Sequence, residues 1–304
     1  MTYNIIGKSK LWLTISSILV IASVAALGVF GLKLGIDFTG GSLLEVRFFS
    51  ERPSVSTIEE RLSPLSLNSL TVQPVGENDV MMRFQEIDQE TREETIGLLN
   101  EFSPVEGEPA LEELRFEAVG PTVGQELRKK SIYATILVIL AISLYIAWAF
   151  RRVSRPIASW KYGAVTLVSL FHDVVILLGV FAVLGHFYGA EINVAFLAAA
   201  LTVLGYSVHD SIVVFDRIRE NLPRSNDSYR KTVNDSINQS IVRSINTSVT
   251  VMVVLLSIII MGGSSIYYFS IALFVGILFG TYSSIFLAAP LLVLWSERAE
   301  KNRG

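Results

Sequence analysis

The sequence predicts an all-α membrane bundle of six transmembrane helices, with one α+β domain of ferredoxin-like βαββαβ order between the first and second helices. Three observations predict it. A hydrophobic fraction of 51%, a charged fraction of 17% and a mean hydropathy of +0.51 are too apolar for a water-soluble fold of 304 residues. Long uncharged runs recur at the length a bilayer needs, about 20 residues. The roughly ninety residues after the first run change to the alternating pattern of strands.

Leu11 to Leu32 carries no charge and is too long for the apolar core of a signal peptide, so it reads as a retained helix despite Lys8 and Lys10 before it. Five further spans are expected near Ile132 to Phe150, Tyr162 to Gly185, Ile192 to Phe215, Ser244 to Met261 and Ile266 to Trp295, the last long enough to tilt or project. Lys and Arg orient them, because short loops rich in these residues stay in the cytoplasm. Lys8 and Lys10, then Arg151, Arg152, Arg155 and Lys161, then Arg217, Arg219, Arg224, Arg230 and Lys231, and finally Arg298, Lys301 and Arg303 fall on one side. The loops His186 to Glu191 and Gly262 to Ser265 have none. Both termini are therefore expected inside and the domain outside. Arg128, Lys129 and Lys130 run against the pattern, but a long domain translocates largely regardless of charge. The expected organisation is residues 1–34 for the N-terminus and first helix, 35–127 for the external domain, and 128–304 for five helices, with inner loops at about 151–161 and 216–235.

Within the domain, Leu43 to Phe49 is an apolar run with Glu45 and Arg47 in alternation, the pattern of a strand with one wet face. Ser54 or Ser56 is placed to cap a helix through Leu62. Thr71 to Val75 and Val80 to Phe84 flank Glu77-Asn78-Asp79 as a hairpin. Asp88 is placed to cap a second helix to about Phe102, and Leu114 to Val119 supplies the fourth strand after the Pro104 to Pro109 loop. That order is the split βαβ arrangement. The domain's carboxylates are scattered over presumed wet faces and read as solvated surface.

Several function classes are excluded. A net charge of −3 and a pI near 5.7 provide no basic face for nucleic acid. Without cysteine there is no thiol chemistry, and three histidines with no metal-binding spacing predict no metal site. No segment reads as a nucleophile elbow or Walker A loop, so neither an enzyme nor an ATPase is expected, and no cofactor.

Charges inside lipid-spanning runs are costly and usually functional. Asp173 lies in the middle of the third span, Asp210 in the inner half of the fourth and Arg243 at the inner start of the fifth; each aspartate follows a histidine, as His172-Asp173 and His209-Asp210. Adjacent helical residues point about 100° apart, so neither dipeptide is expected to share one face. Ser236, Gln239, Ser240, Arg243, Asn246, Thr247 and Thr250 recur at three- and four-residue spacing, a polar stripe that must face protein or water. Counted from the outer helix ends, Asp210 and Arg243 both lie about 27 to 29 Å deep and are expected to meet. One reading of the pair is a buried structural ion pair. The other is a proton site, since a dry surrounding favours the acid and a nearby guanidinium the carboxylate. Arginine does not release its proton, so Asp210 would be the carrier and Arg243 its switch partner. His172 and Asp173 read equally as function or helix contact, and His186 as exposed in a loop. Gly35, Asp37, Gly40 and Gly41 form a corner or a pivot between helix and domain, and Ala272, Gly276 and Gly280 a small-residue row for close helix packing.

These residues resemble the SecF family, the smaller of the paired SecD and SecF subunits that assist bacterial protein export. The resemblance rests on Gly35-Ile36-Asp37-Phe38-Thr39-Gly40-Gly41-Ser42, Val119-Gly120-Pro121-Thr122-Val123-Gly124, the run from Gly205-Tyr206-Ser207-Val208-His209-Asp210 to Asn221, Ser240-Ile241-Val242-Arg243-Ser244-Ile245-Asn246-Thr247-Ser248, and Gly280-Thr281-Tyr282-Ser283-Ser284-Ile285-Phe286. It implies an RND-type half paired with SecD in the bacterial cytoplasmic membrane, using the proton-motive force, with Na⁺ as the alternative ion, to pull or release unfolded preproteins at the SecYEG channel. The family's essential intramembrane aspartate and arginine fall on Asp210 and Arg243, with Asp173, His172, His209, Gln239, Asn246 and Thr247 as possible support. Where the family often has Asn or His before this aspartate, His209 stands here. A short external domain fits SecF and not SecD. The competing functions are an RND-type exporter of small amphiphiles, which would need a larger external region with a cleft, and a passive scaffold with no proton step.

Overall fold

A computed structural model describes residues 3–103, 105, 107–151 and 158–301. Arg152, Arg155 and Arg303, counted above among the inner cations, and Pro104 of the expected loop lie outside the described residues. In chain order the elements are α1 (Ser9–Phe30), α2 (Ile36–Thr39), β1 (Gly41–Phe48), α3 (Val55–Leu62), β2 (Thr71–Val75), β3 (Asp79–Phe84), α4 (Gln89–Asn100), β4 (Leu111–Val119), α5 (Pro121–Ala149), α6 (Trp160–Tyr188), α7 (Val194–Asn221), α8 (Tyr229–Met261), α9 (Ser264–Ser283), a π-helical turn Ser284–Ala288, and α10 (Ala289–Lys301). They form two compact units, one of residues up to Lys33 with those from Tyr133 onward, the other Leu34–Ile132.

The first unit is helical. Among the described residues six segments are long and apolar enough to cross a membrane: Ile6–Phe30, Pro121–Ala149, Trp160–Tyr188, Val194–Arg224, Tyr229–Met261 and Ile266–Arg298. Two begin well before the expected positions, at Pro121 instead of Ile132 and at Tyr229 instead of Ser244. The apolar window locates the part of a helix that meets lipid, while the helix itself continues through polar sequence until a cap stops it. Ser228 accepts from Lys231 N at the start of α8 and Asn193 accepts from Phe196 N at 2.8 Å at the start of α7. His186 is not in a loop but in the last turns of α6, its ring 4.7 Å from that of Phe30.

The core of this unit draws on α6, α7, α8 and α10, and an aromatic stack ties Phe150, just after α5, to α6 and α7: Phe150 lies parallel to Tyr162 at 5.3 Å and both rings meet Phe215 edge-on. The first described residues are strapped to α8. Asn234 Oδ1 accepts from Ile5 N and Ile6 N, Asn238 Oδ1 accepts from Tyr3 N at 2.7 Å, and Arg230 bridges Ile6 O and Glu297.

The second unit is the expected βαββαβ domain. Its sheet order is β2-β3-β1-β4, every neighbouring pair antiparallel, with α3 and α4 packed on one face over Leu44, Val46, Ile58, Leu62, Met82 and Leu99. Ser54 and Asp88 cap the two helices through Thr57 N and Thr91 N. The opposite face departs from expectation at Glu45, which is 1% exposed, whereas Arg47 two residues on is open to solvent and holds Asp79 through paired bonds of 2.7 and 2.8 Å. The reason is position in the sheet. β1 is central, so Glu45 is flanked by Met81 on β3 and Arg115 on β4, long side chains that stand beside it and exclude water.

Candidate functional site

Close approach of α7 to α9 sets the geometry. A Cβ on Gly276 would fall 2.2 Å from Val203 and one on Gly280 would fall 3.0 Å from Ser207, so the small-residue row brings α9 against α7 as expected. The polar side chains that follow the row, Thr281 and Ser283 at the end of α9 and Ser284 at the start of the π turn, reach α8, α6 and α7 respectively.

Asp173 is the most enclosed charge in the bundle's α6, 1% exposed. Its Oδ2 accepts from Ser207 Oγ of α7 at 2.6 Å and lies 2.9 Å from Ser283 Oγ of α9; its Oδ1 is 2.9 Å from His172 Nδ1. Sequence spacing placed His172 and Asp173 on different faces. They bond nevertheless, since α6 is enclosed at this level and the imidazole turns along the helix surface to its neighbour. His172 also lies over Tyr282, whose hydroxyl donates to Trp12 O of α1 and accepts from Ser16.

Asp210 is likewise buried, 2% exposed, beside Thr281 of α9 and Ser244 of α8, and neither its Oδ2 nor Ser244 Oγ has a partner at hydrogen-bond distance among the described residues. Thr281 Oγ1 is itself 2.5 Å from Ser248 Oγ, which meets Tyr206. Arg243 is not at this carboxylate. It is exposed on the flank of α8, and among the described residues no ion pair joins the two. Equal depth did not fix rotation about the helix axis. The inward direction belongs to Ser244, the next residue and so about 100° away.

The polar stripe of α8 divides on the same ground. Ser236 and Ser240 continue through Ser244 and Ser248 as a buried ladder with four-residue spacing. Gln239, Arg243, Asn246, Thr247 and Thr250 are exposed beside it, as is His209 on α7; Gln239 accepts from Asn221 at 3.0 Å. Ser207, Ser211, Thr281, Ser283 and Ser284 were not singled out from sequence. Their signal was the four-residue step from Ser207 to Ser211 and the hydroxyl cluster after Gly280, both quoted within motifs.

The corner at Gly35–Gly41 is tightly packed. Gly35 starts α2 and Asp37 stands in its first turn. Gly40 and Gly41 have φ of +78° and +124°, and a Cβ on Gly40 would lie 2.7 Å from Pro121 Cα at the start of α5. Only glycine fits both the dihedral and the space.

Comparison with known proteins agrees with this arrangement. The family described as protein export membrane protein SecD/SecF, C-terminal, matches residues 102–298, and the SecD/SecF GG motif matches residues 25–48. The protein translocase subunit SecF of Thermobaculum terrenum is 43% identical over 300 residues, covering 93% of this chain and 91% of its own, and that of Anaerolinea thermophila is 38% identical over 303 residues, covering 98% and 96%. The crystal structure of SecDF, a translocon-associated membrane protein from Thermus thermophilus, matches with a TM-score of 0.82 at 31% identity, covering 98% of this chain and 39% of that one. A super-membrane-facing form of SecDF matches with a TM-score of 0.69. This chain therefore spans about two fifths of the SecDF chain, whose covered share is 39%. With six membrane-spanning helices, an inserted four-stranded domain and near full-length similarity to curated subunits, the chain belongs to the SecF family of protein translocase subunits.

Proposed function

We propose that this subunit pairs with SecD in a bacterial cytoplasmic membrane and uses the proton-motive force to assist the translocation and release of preproteins at SecYEG, with Asp210 as proton carrier and Arg243 as its switch partner. The observation that carries the reading is the exposed polar flank of α8, where Arg243, Asn246, Thr247 and Thr250 occupy a membrane-spanning helix without cover from this chain. Lipid does not satisfy such groups, so a partner subunit or an aqueous path must meet them. SecD is the partner the family supplies. The Lys and Arg distribution supports termini in the cytoplasm and the domain outside.

Asp210 sits one helix layer behind that flank. A guanidinium near a carboxylate favours the ionised form, and a dry surrounding favours the acid. A shift of α8 against α7 that carries Arg243 toward or away from Asp210 therefore decides whether the proton is held. Asp210 Oδ2 has no hydrogen-bond partner among the described residues, which leaves that atom open to a new donor.

The test uses inverted vesicles with an imposed proton gradient. Asp210→Asn keeps shape and hydrogen bonding but removes titration. Gradient-driven preprotein release should be lost while the subunit still inserts and assembles with SecD. Normal release by this variant would overturn the carrier role and favour a passive scaffold.

A further inference from the structure

We propose that Asp173 is a second proton-binding carboxyl of the bundle, held so that either protonation state is satisfied without movement of any heavy atom. The inference rests on the reading of the subunit as proton-coupled, but it concerns a different carboxylate. Its basis is the hydroxyl of Ser283, which lies 2.9 Å from Asp173 Oδ2 and 3.1 Å from Gly280 O. A hydroxyl has one hydrogen and two lone pairs, so Ser283 donates to only one of these oxygens at a time. When Asp173 is ionised, Ser283 donates to it. When a proton binds Oδ2, the acid O–H donates to Ser283 Oγ, and the serine hydrogen turns to Gly280 O.

The other donors fit both states. His172 Nδ1 lies 2.9 Å from Oδ1, and in the tautomer with hydrogen on Nδ1 it donates there whether or not Oδ2 is protonated. Its Nε2 is buried with no hydrogen-bond partner among the described residues. A permanently ionised aspartate enclosed in a membrane bundle would be expected to have a cation against it. Among the described residues no Lys or Arg stands against Asp173: the titratable groups near its level on the packed elements are His172 on α6, Tyr282 on α9, and Tyr206, His209 and Asp210 on α7, of which His209 is exposed and Tyr206 meets Ser248, and α1 from Leu11 to Phe30 carries none. A proton is the ligand that balances the site, and the hydroxyl relay is built to receive it.

The test is infrared difference spectroscopy between alkaline and acid buffer, on the full chain purified with its membrane partner in lipid, reading the C=O stretch of protonated carboxylic acids. Asp173→Asn should remove one acid-induced band, and Asp210→Asn a different one. If Asp173→Asn leaves every band in place while Asp210→Asn removes one, the inference fails and the carrier role of Asp210 survives. If only Asp173→Asn removes a band, the inference stands and the carrier role fails. Should Asp173→Asn not assemble, Ser283→Ala retains the carboxyl and removes the acceptor of its O–H, which should shift the frequency of that same band. A spectrum unmoved by Ser283→Ala overturns the relay.

Discussion

Arg243 carries a charge that no ion pair among the described residues neutralises, and this separates two roles that would otherwise look alike. Breaking a buried ion pair costs about 3 to 5 kcal/mol, whereas surface substitutions stay within about 0.5 kcal/mol. Arg243→Met should therefore leave the thermal midpoint of the solubilised subunit almost unchanged while abolishing gradient-driven release; a large loss of stability would instead mark a structural pair. In the domain, Asp88 accepts from Thr91 N at 2.9 Å and Thr91 Oγ1 at 2.7 Å, and these bonds hold its carboxyl below the usual aspartate range. Its folded value is depressed, so the stability it contributes is complete above the unfolded value of about 3.9 and is lost as pH falls through the folded one. Between about pH 5 and about pH 3 the wild-type domain should lose more stability than Asp88→Asn, whose cap does not titrate; equal losses would show that the cap bond does not survive in solution. Asp173, Asp210 and Arg243 were legible because one charge in an apolar run is visible in any window. The serines around them were not, since a serine hardly changes local hydropathy and its role depends on which helix lies opposite.

Among elements, the α7–α9 contact is the most exacting. Gly276→Ala puts a methyl where Val203 already stands, 2.2 Å from the new Cβ, while a Cβ on Gly28 of α1 meets nothing within 4 Å. Overpacking of this kind costs about 1 to 3 kcal/mol. Gly276→Ala should lower the melting temperature of the assembled subunit and Gly28→Ala should not; matching melts would mean that α9 stands further from α7 than described. The βαββαβ element order of the domain, both helix caps and the small-residue row were readable because period, cap chemistry and spacing are local properties. Burial of Glu45 was not, because alternation along β1 says which face a residue takes but not that β1 would lie between two strands. The starts of α5 and α8 were missed for a related reason: hydropathy reports lipid contact, not helix length. Nor does depth along a helix say which way a residue points, and Ser244 took the place expected of Arg243.

For the whole molecule, the proposed orientation and the two-unit organisation each have a direct check. The sequence contains no cysteine, so single cysteines report without background. One at Asn78, in the hairpin turn between β2 and β3, should react with an impermeant thiol reagent added to intact cells, and one at Ser225, between α7 and α8, only after permeabilisation. The reverse pattern would invert the orientation. Residues 34–132, expressed alone, should give a soluble monomer with mixed α and β circular dichroism, since the unit has its own core and four paired strands. A disordered fragment would show that the sheet depends on the helical unit.

The π turn at Ser284–Ala288 has a further consequence when viewed as a defect in a one-dimensional lattice. It takes up a surplus residue within one wider turn, so everything beyond Ala288 keeps the phase of a helix without that residue. Tightening the turn to α-helix with every residue kept would swing α10 by about 100°, taking Trp295 away from Trp160, whose ring it meets at 5.1 Å. Letting the defect glide toward the N-terminus would do the opposite. Each residue it crossed would rotate in turn while both flanking helices stayed in place. The first residues in that path are Ser283 and Thr281, the hydroxyls that face Asp173 and Asp210, so a dislocation moving by one turn would re-address both carboxylates without any helix sliding through the membrane.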